Sequence, residues 1–416
     1  MRDVATKGIA VLAYSGGLDT SYCIPYLREK RGYDVISVTV DTGGFAPGEI
    51  AGIEARARSL GVLAHHTVDA RKDVFEKYAS YLIKGNVLRG AVYPLSVAAE
   101  RTVQAEAVAT VARRERAAAV VHGSTGAGND QVRFDIAFAV LLPGVPVIAP
   151  IREESLSRKE EYEFLKARGV AIEKRAEEYS INVGLWGTTI GGGPTHDPWA
   201  EIPEEVYRRA AGADLAKEPE SITIGFERGT PMSLDSKRLD GVDLIAELGR
   251  LCRRHRVGRA VHLGDTVLGI KGRVAFEAGA AIVAISAHRE LEKLVTTHWQ
   301  RFWKDHLADF YGKMLHEAQA FEPALRDIEA LIDSSQERVT GHARVRLDDG
   351  SFSVTGVRSP YSLMSAAAGV YGETPKLWTA QDPKGFAAIA GIPARLYQAA
   401  GQAGPRPPAA GSEKER

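Results

Sequence analysis

Gly8-Ile9-Ala10-Val11-Leu12-Ala13-Tyr14-Ser15-Gly16-Gly17-Leu18-Asp19-Thr20-Ser21 is the stretch on which the fold turns. The apolar run Gly8–Tyr14 reads as a buried strand, Ser15-Gly16-Gly17 breaks it, and Thr20–Glu29 carries a helical pattern. A strand that runs through glycines and hydroxyls into a helix is a cradle for phosphate. The glycines let the backbone approach the oxygens, Ser15, Thr20 and Ser21 supply hydroxyls, and the helix N-terminus presents free N–H groups. The spacing and lysine of a Walker loop are absent. A plain glycine-turn helix cap would not require three hydroxyls, two glycines and an Asp within nine residues.

Outward from this loop the pattern repeats. Asp34–Val40 reads as a strand, Pro47–Leu60 as a helix, Val62–Val68 as a strand and Ala70–Ile83 as a helix. A long Ala-rich helix over Ser96–Arg116 leads to the strand Ala117–Val121. Strands alternating with helices predict an α/β domain with a parallel sheet covered on both faces. Beyond Pro150 the pattern changes. Arg152–Arg168 reads as one charged helix with a solvated face, and Gly-rich loops, including Gly191-Gly192-Gly193, follow Glu178. Hairpins are expected at Ser221–Phe226 with Met232–Leu234, and at Arg344–Leu347 with Ser351–Val354 around Asp348-Asp349-Gly350. With long helices at Val242–His255 and His288–Gly312, this predicts an α+β second domain. A terminal helix over Gly385–Ala399 precedes a Pro- and Gly-rich tail expected to be disordered. The partition is therefore 1–175, 176–365, a C-terminal helix region 366–400 and a tail 401–416. There is no internal repeat.

The chain of 416 residues exceeds one ordinary core, in line with that partition. Lys+Arg 53 balance Asp+Glu 53, which argues against nucleic-acid binding through a basic surface. The two cysteines, Cys23 and Cys252, form no disulfide framework, and Met1–Lys7 has no secretory apolar segment behind it. The most apolar later run, Ala278–Ala287, is well short of the roughly 20 residues that cross a bilayer. A cytoplasmic protein is expected, with neither a membrane nor a nucleic-acid partner.

A second motif follows the strand at Ala117: His122-Gly123-Ser124-Thr125-Gly126-Ala127-Gly128-Asn129-Asp130-Gln131-Val132-Arg133-Phe134. It brings an amide, a carboxylate and a guanidinium together. Asp130 can pair with an ammonium and Arg133 can hold a carboxylate through two hydrogen bonds, the combination a zwitterionic amino acid needs; an Asp–Arg surface ion pair is the plainer alternative.

The first loop resembles the pyrophosphate loop of enzymes that cleave ATP between the α- and β-phosphates. Together the two motifs resemble the argininosuccinate synthase family. The likeness extends through Tyr179-Ser180, Leu185-Trp186-Gly187, Asp197-Pro198-Trp199, Gly269-Ile270-Lys271 and Ala287-His288-Arg289. It implies a carbon–nitrogen ligase with a pyrophosphatase-type nucleotide domain, using ATP with Mg²⁺. The citrulline ureido oxygen attacks the α-phosphate, and the amine of L-aspartate then displaces AMP. It also implies a homotetramer joined by C-terminal helices. By position, ATP is expected at Ala13, Tyr14, Ser15, Gly16, Gly17, Leu18, Asp19, Thr20, Ser21, Val40 and Gly123. Aspartate is expected at Thr125, Asn129 and Asp130, and citrulline at Tyr93, Asn129, Arg133, Ser180 and Thr189. Asp19, Asn129 and Asp130 are the candidate catalytic residues; no resident metal site is expected. No side chain is an obvious general base, so positioning and charge neutralisation carry the rate.

The departures from the family pattern cluster on the citrulline side. Ala98 stands for a serine, Thr189 for a serine, Gly264 for a glutamate that contacts citrulline, and Phe276 for a tyrosine. Asn182 and Gly184 stand for Asp and Asn, and Ala127 for a lysine. Loss of the carboxylate at Gly264 removes the simplest partner for an α-ammonium. Two readings follow. The ureido substrate lacks a free α-ammonium, as an N-acylated citrulline does, with Gly264, Ala98 and Gly184 making room for the acyl group; or Asp265 pairs with ordinary citrulline. A nucleotide-binding regulator without catalysis and a tRNA-thiolating relative are the remoter alternatives. The retained Asn129, Asp130 and Arg133 argue against the first; the second would need a basic RNA-binding surface and usually reactive cysteines, and neither is visible.

Smaller signals receive plain readings. His65-His66 reads as a surface pair, Arg253-Arg254-His255-Arg256 as a helix C-terminus, and Cys23 as buried. His298, Trp299, Trp303 and His306 fall at helical spacing and read as packing residues, within the chain or between subunits. Lys271 and Arg273 have two readings, a phosphate or a partner subunit.

Overall fold

A computed structural model describes residues 6–170, 179–211, 215–364, 369–374 and 376–403. Five parallel strands form the first sheet: β1 (Ile9–Ala13), β2 (Asp34–Asp41), β3 (Ala64–Asp69), β4 (Ala119–Val121) and β5 (Val147–Ile148), in the order β3-β2-β1-β4-β5. The register sets Val11 against Ile36 and Val120, and Leu12 against Ser37 and Val121. Both faces are buried, because the strands alternate between two cores. Val11, Ile36 and Val38 meet the helices Ser96–Arg114 and Asp130–Leu141 on one side. Ala10, Leu12 and Val35 meet Leu18–Tyr26, Glu49–Ser59 and Arg158–Lys166 on the other. This is the near-continuous apolar strand pattern of a parallel sheet. The sheet's switch point lies between β1 and β4, and both sequence motifs leave the carboxyl ends of these two strands. In open α/β sheets ligands bind there.

Two antiparallel sheets follow. The strands β6 (Tyr179–Gly184), β7 (Gly187–Gly192), β11 (Arg259–Asp265) and β12 (Lys271–Glu277) form a sheet in the order β11-β12-β7-β6. The strands β8 (Glu220–Glu227), β9 (Thr230–Leu234), β10 (Lys237–Arg238), β13 (Gly341–Asp348) and β14 (Ser351–Arg358) form the other, ordered β10-β9-β8-β13-β14. Both expected hairpins are therefore present. The apolar helix Gly279–Val295 lies against β13 and β14 and packs on the helix Gly241–Arg254. The α+β character of this half holds.

Several elements differ from the sequence reading. The Gly-rich stretch after Glu178 is partly strand: β6 and β7 pair through Asn182 and Thr189. The single helix over Arg152–Arg168 is two, Pro150–Glu153 and Arg158–Lys166, because Ser157 and Glu160 form a capping box that starts the second afresh. The helix over His288–Gly312 is likewise two, Gly279–Val295 and His298–His316, with a capping box at Thr297 and Gln300. His65 is not a surface residue; it is buried and hydrogen-bonds Ser37 Oγ at 2.8 Å. Trp299 and Trp303 are 63% and 60% exposed on the helix His298–His316, so they do not pack within this chain; packing between subunits, the other part of that reading, is left open. Both cysteines are buried and free.

The chain divides into two units, Met1–Tyr361 and Ser362–Arg416. In the second, the expected single helix is a pair, Gln381–Ala390 and Ile392–Ala403, divided at Gly391. Residues 401–403, expected in a disordered tail, end the latter helix, while residues 404–416 lie outside the described residues. So does the expected boundary near 175. No helix among the described residues is long and apolar enough to cross a membrane.

Candidate active site

The phosphate loop is built as its residues require. Gly16 takes φ +75°, and Gly17 in extended conformation caps the helix Leu18–Tyr26 with no side chain filling its N-terminus. Ser15 Oγ lies 3.1 Å from Thr20 Oγ1 and accepts from Gly17 N at 3.3 Å. Ser21 is fully buried and its Oγ lies 3.3 Å from the Tyr14 hydroxyl. Burial raises the Tyr14 hydroxyl above its ordinary pKa, keeping it protonated. Arg56 donates to the Gly16 carbonyl. A Cβ on Gly123 would lie 2.9 Å from Thr20 Cγ2, so the second loop presses against this helix N-terminus. Val40 closes the end of β2 with its side chain buried. Asp19, in the first turn, faces Glu161, whose carboxyl is pushed up to about 8 by burial and by the neighbouring Asp19 carboxylate.

The second loop is held by a network from the helix Asp130–Leu141. Gln131 donates to the carbonyls of Gly126 at 2.5 Å and Gly128 at 3.3 Å. Asp135 receives His122 Nε2 at 3.0 Å and Arg152 Nη1 at 2.5 Å. Asn129 Oδ1 accepts from Val267 N at 2.8 Å, tying the loop to the β11–β12 turn. Thr125 stands exposed at the loop tip.

Asp130 is bridged by two guanidiniums, Arg101 at 2.8 Å and Arg133 at 3.0 Å. Burial works against its charge, but Arg101 and Arg133 outweigh it and hold the carboxyl below its usual range. Arg101 also donates to Asn182 Oδ1 at 2.6 Å. Sequence reasoning missed Arg101 because the Ala-rich helix around it gave no sign of which face meets a site.

The register of the four-stranded sheet explains the citrulline-side cluster. Asn182 pairs with Thr189, Thr189 with Phe276, Phe276 with Ala260, and Ser180 with Gly191. With a period of two, Ser180, Asn182, Thr189, Phe276, His262 and Gly264 share one face. The opposite face buries Ile190 and Ala275 with Val206 and Tyr207. The site face meets Tyr93, whose ring lies 5.3 Å from Phe276 and stacks on His262 at 5.6 Å and 17°. Arg133 is buried, with Nη2 3.4 Å from His316 Nδ1. Burial, with the Arg133 and Arg89 guanidiniums beside it, pushes the His316 imidazole down to about 3. The structure thus gathers Tyr93, Arg133, Thr189, Asn129 and Asp130 near one another, with Ser180 exposed at the sheet edge.

The glycines on this face leave no open room. A Cβ on Gly264 would fall 2.5 Å from His262 Nε2, and one on Gly184 would overlap the Glu100 carboxylate. The His262 ring and the Glu100 carboxyl lie where side chains at positions 264 and 184 would start, which corrects the expectation of space for an acyl group at these two positions. Asp265 does not turn into the cluster either: it is 58% exposed and bound to Lys271 at 2.5 Å. Lys271 is therefore engaged with Asp265. Arg273 donates to the backbone carbonyls of Pro194, Asp197 and Ala200. Among the described residues, no group of three or more His, Cys, Asp or Glu could hold a metal ion.

A loop rich in glycine and hydroxyls at the switch point of a parallel sheet, with the second loop tied through Asn129 to the β11–β12 turn, fits an ATP-dependent ligase. The family model for the arginosuccinate synthase N-terminal HUP domain matches residues 9–171, and that for the C-terminal domain matches 179–397. The argininosuccinate synthase of Methanocaldococcus jannaschii is 38% identical over 390 residues, covering 94% of this chain and 98% of that protein. That of Dictyoglomus thermophilum is 38% identical over 393 residues, covering 94% and 98%. The chain belongs to the argininosuccinate synthase family.

Proposed function

We propose that this chain joins a ureido acid, citrulline in the family's reaction, to L-aspartate at the cost of ATP cleavage to AMP and pyrophosphate. The observation that carries this is the meeting of the Ser15–Ser21 cradle with the Asn129–Asp130–Arg133 helix start at one switch point. In the first step the ureido oxygen bonds to the α-phosphorus while the bond to the β-phosphate oxygen breaks, releasing pyrophosphate. In the second, the aspartate nitrogen bonds to the ureido carbon, the carbon–oxygen bond to AMP breaks, and the amine loses a proton. The loop N–H groups and hydroxyls neutralise phosphate charge, and Mg²⁺ arrives as the counterion of ATP. In this reading Asp130 orients the aspartate amine and Asn129 lies between the two amino acids; the ion pairs of Asp130 with Arg101 and Arg133, which fix its carboxylate, support the first role.

Assembly as a cytoplasmic homotetramer through the C-terminal helices belongs to the same proposal. The exposed apolar residues Phe386, Ile389, Leu396 and Tyr397 support it, since such a stripe calls for a cover. The activity test is pyrophosphate release, with the product mass checked. Equimolar AMP and pyrophosphate are expected only when ATP, aspartate and a ureido acid are all present. Turnover without aspartate, or none with any ureido acid, would overturn the reading.

A further inference from the structure

Tyr93 is flanked by two buried groups of opposite charge, Arg133 and Glu100. Burial is the main influence on its hydroxyl, raising the pKa; of the charges acting on it, Arg133 lowers that pKa and Glu100 raises it. The hydroxyl accepts from Val97 N at 3.4 Å, at the start of the helix Ser96–Arg114. Glu100 follows Val97 by three residues, so the two lie on one side of that helix. Opposite it, Gly184 leaves the Glu100 carboxyl the space where a Cβ would stand. Gly184 and Asn182 share a face of β6, so Glu100 reaches the sheet face built by Asn182 and Thr189.

Both flanking groups keep a polar atom unpaired. Glu100 Oε1 and Arg133 Nε are buried and have no hydrogen-bond partner among the described residues. The remaining Arg133 donors are taken, Nη1 by Asp130 at 3.0 Å and Nη2 by the His316 carbonyl at 3.3 Å. Arg101, beside Glu100 in sequence, spends its donors on Asp130, Gln104 and Asn182. Asp130 is shared by two arginines and Asp265 pairs outward with Lys271, which leaves Glu100 as the carboxyl next to Tyr93 without a cation. Burial pushes it up to about 8 against the pull of the Arg101 charge and the Trp186 N–H. A buried acceptor and a buried donor left open are costly unless a ligand satisfies both. An acid without an ammonium would satisfy Arg133 alone.

We propose that Glu100 selects a ureido acid with a free α-ammonium, receiving that ammonium on Oε1 while Arg133 Nε receives the carboxylate. The ammonium displaces the proton that burial keeps on the free carboxyl, and that proton leaves to solvent. This rests on the ligase reading above and assigns the residue that sets its substrate. The test measures dissociation constants of L-citrulline, 5-ureidopentanoate and Nα-acetyl-L-citrulline by calorimetric titration of the full chain, beside pyrophosphate release with ATP and aspartate. Citrulline should bind at least about tenfold tighter than either ammonium-free acid, the value of one hydrogen bond to a charged group. A smaller preference, or no measurable binding, overturns the inference. Glu100→Gln keeps the size and removes the charge, so the preference for citrulline over 5-ureidopentanoate should fall at least tenfold. A smaller fall, as when both acids weaken together, assigns Glu100 a structural role and overturns the inference. Glu100→Met carries the same expectation if the Gln variant does not fold. Pyrophosphate release with none of the acids overturns the ligase reading; loss of the expected preference with release intact overturns this inference alone.

Discussion

Replacing Gly16 by Ala isolates what the phosphate loop demands of its backbone. Gly16 and Gly32 share φ +75°, but a Cβ on Gly32 meets nothing within 4 Å, whereas one on Gly16 falls 2.8 Å from Ile53 Cγ1 and 3.2 Å from its Cγ2. Both alanines incur the left-handed penalty of about 1–2 kcal/mol. Both also gain the same unfolded-state offset of about 0.4–1 kcal/mol, which cancels between them. Only Gly16→Ala must displace the buried Ile53 side chain on the helix Glu49–Ser59, an overpacking cost of about 1–3 kcal/mol. The difference between the two variants is therefore about 1–3 kcal/mol, read by thermal unfolding at roughly 2–4 °C per kcal/mol. Ile53→Ala alone loses about 2–5 kcal/mol, but in combination with Gly16→Ala it removes the overlap. The double-mutant cycle should then show a favourable coupling of about 1–3 kcal/mol. Activity should separate the pair as well, since Arg56 grips the Gly16 carbonyl and any shift there moves the cradle: Gly16→Ala should lose pyrophosphate release while Gly32→Ala keeps it. Equal destabilisation by both alanines, with no coupling to Ile53, would refute the argument that close approach as well as φ requires glycine at position 16.

Two further outcomes follow from the site. Arg101→Ala removes the partner of Asp130 and Asn182, at an expected cost of about 2–4 kcal/mol, and should raise the KM for aspartate at least tenfold while moving that for ATP less than threefold; Arg101→Lys should recover only part of this, because one ammonium cannot replace the fork. Burial pushes the Glu100 carboxyl up to about 8, so the fold holds it neutral while the unfolded chain releases its proton above about 4.5. Its contribution is thus complete below that value and lost as pH rises through about 8. Glu100→Gln should accordingly raise Tm more at pH 8 than at pH 5, and equal shifts at the two pH values would mean a charged carboxylate in the fold.

The N-terminal sheet was legible because its strands are short β-branched runs buried on both faces and punctuated by Gly, Asp and Ser. Nothing tertiary was needed to find them. The strands β6 and β7 were hidden by their own composition: Ser180, Asn182, Gly184, Gly187, Gly191 and Gly192 look like loop residues in isolation. The alternation of Tyr179, Ile181 and Val183 with small polar residues was the available signal, and Tyr179 and Ile181 do pack against the Ile190 cluster. The two split helices were legible in retrospect at Ser157-x-x-Glu160 and Thr297-x-x-Gln300, where a cap outweighs a continuous charged or apolar run.

The site residues divide along the same line. Ser15–Ser21 and Asn129–Arg133 are contiguous, so their chemistry is local and their order along the chain is enough to recognise it. The compensations on the citrulline side are not local in that sense. Glu100 fills the place of a side chain at Gly184, 84 positions away, through the packing of the helix Ser96–Arg114 on β6 and β7. Only the register reveals that this carboxyl lies on the face shared by Asn182 and Thr189. His262 filling Gly264 is the intermediate case, because residues i and i+2 of a strand share a face and a glycine leaves its neighbour's ring free to lie along it. A residue change read as a deletion is therefore a substitution in space: the His262 ring lies where a side chain at position 264 would start, and it brings an uncharged, unpartnered nitrogen there.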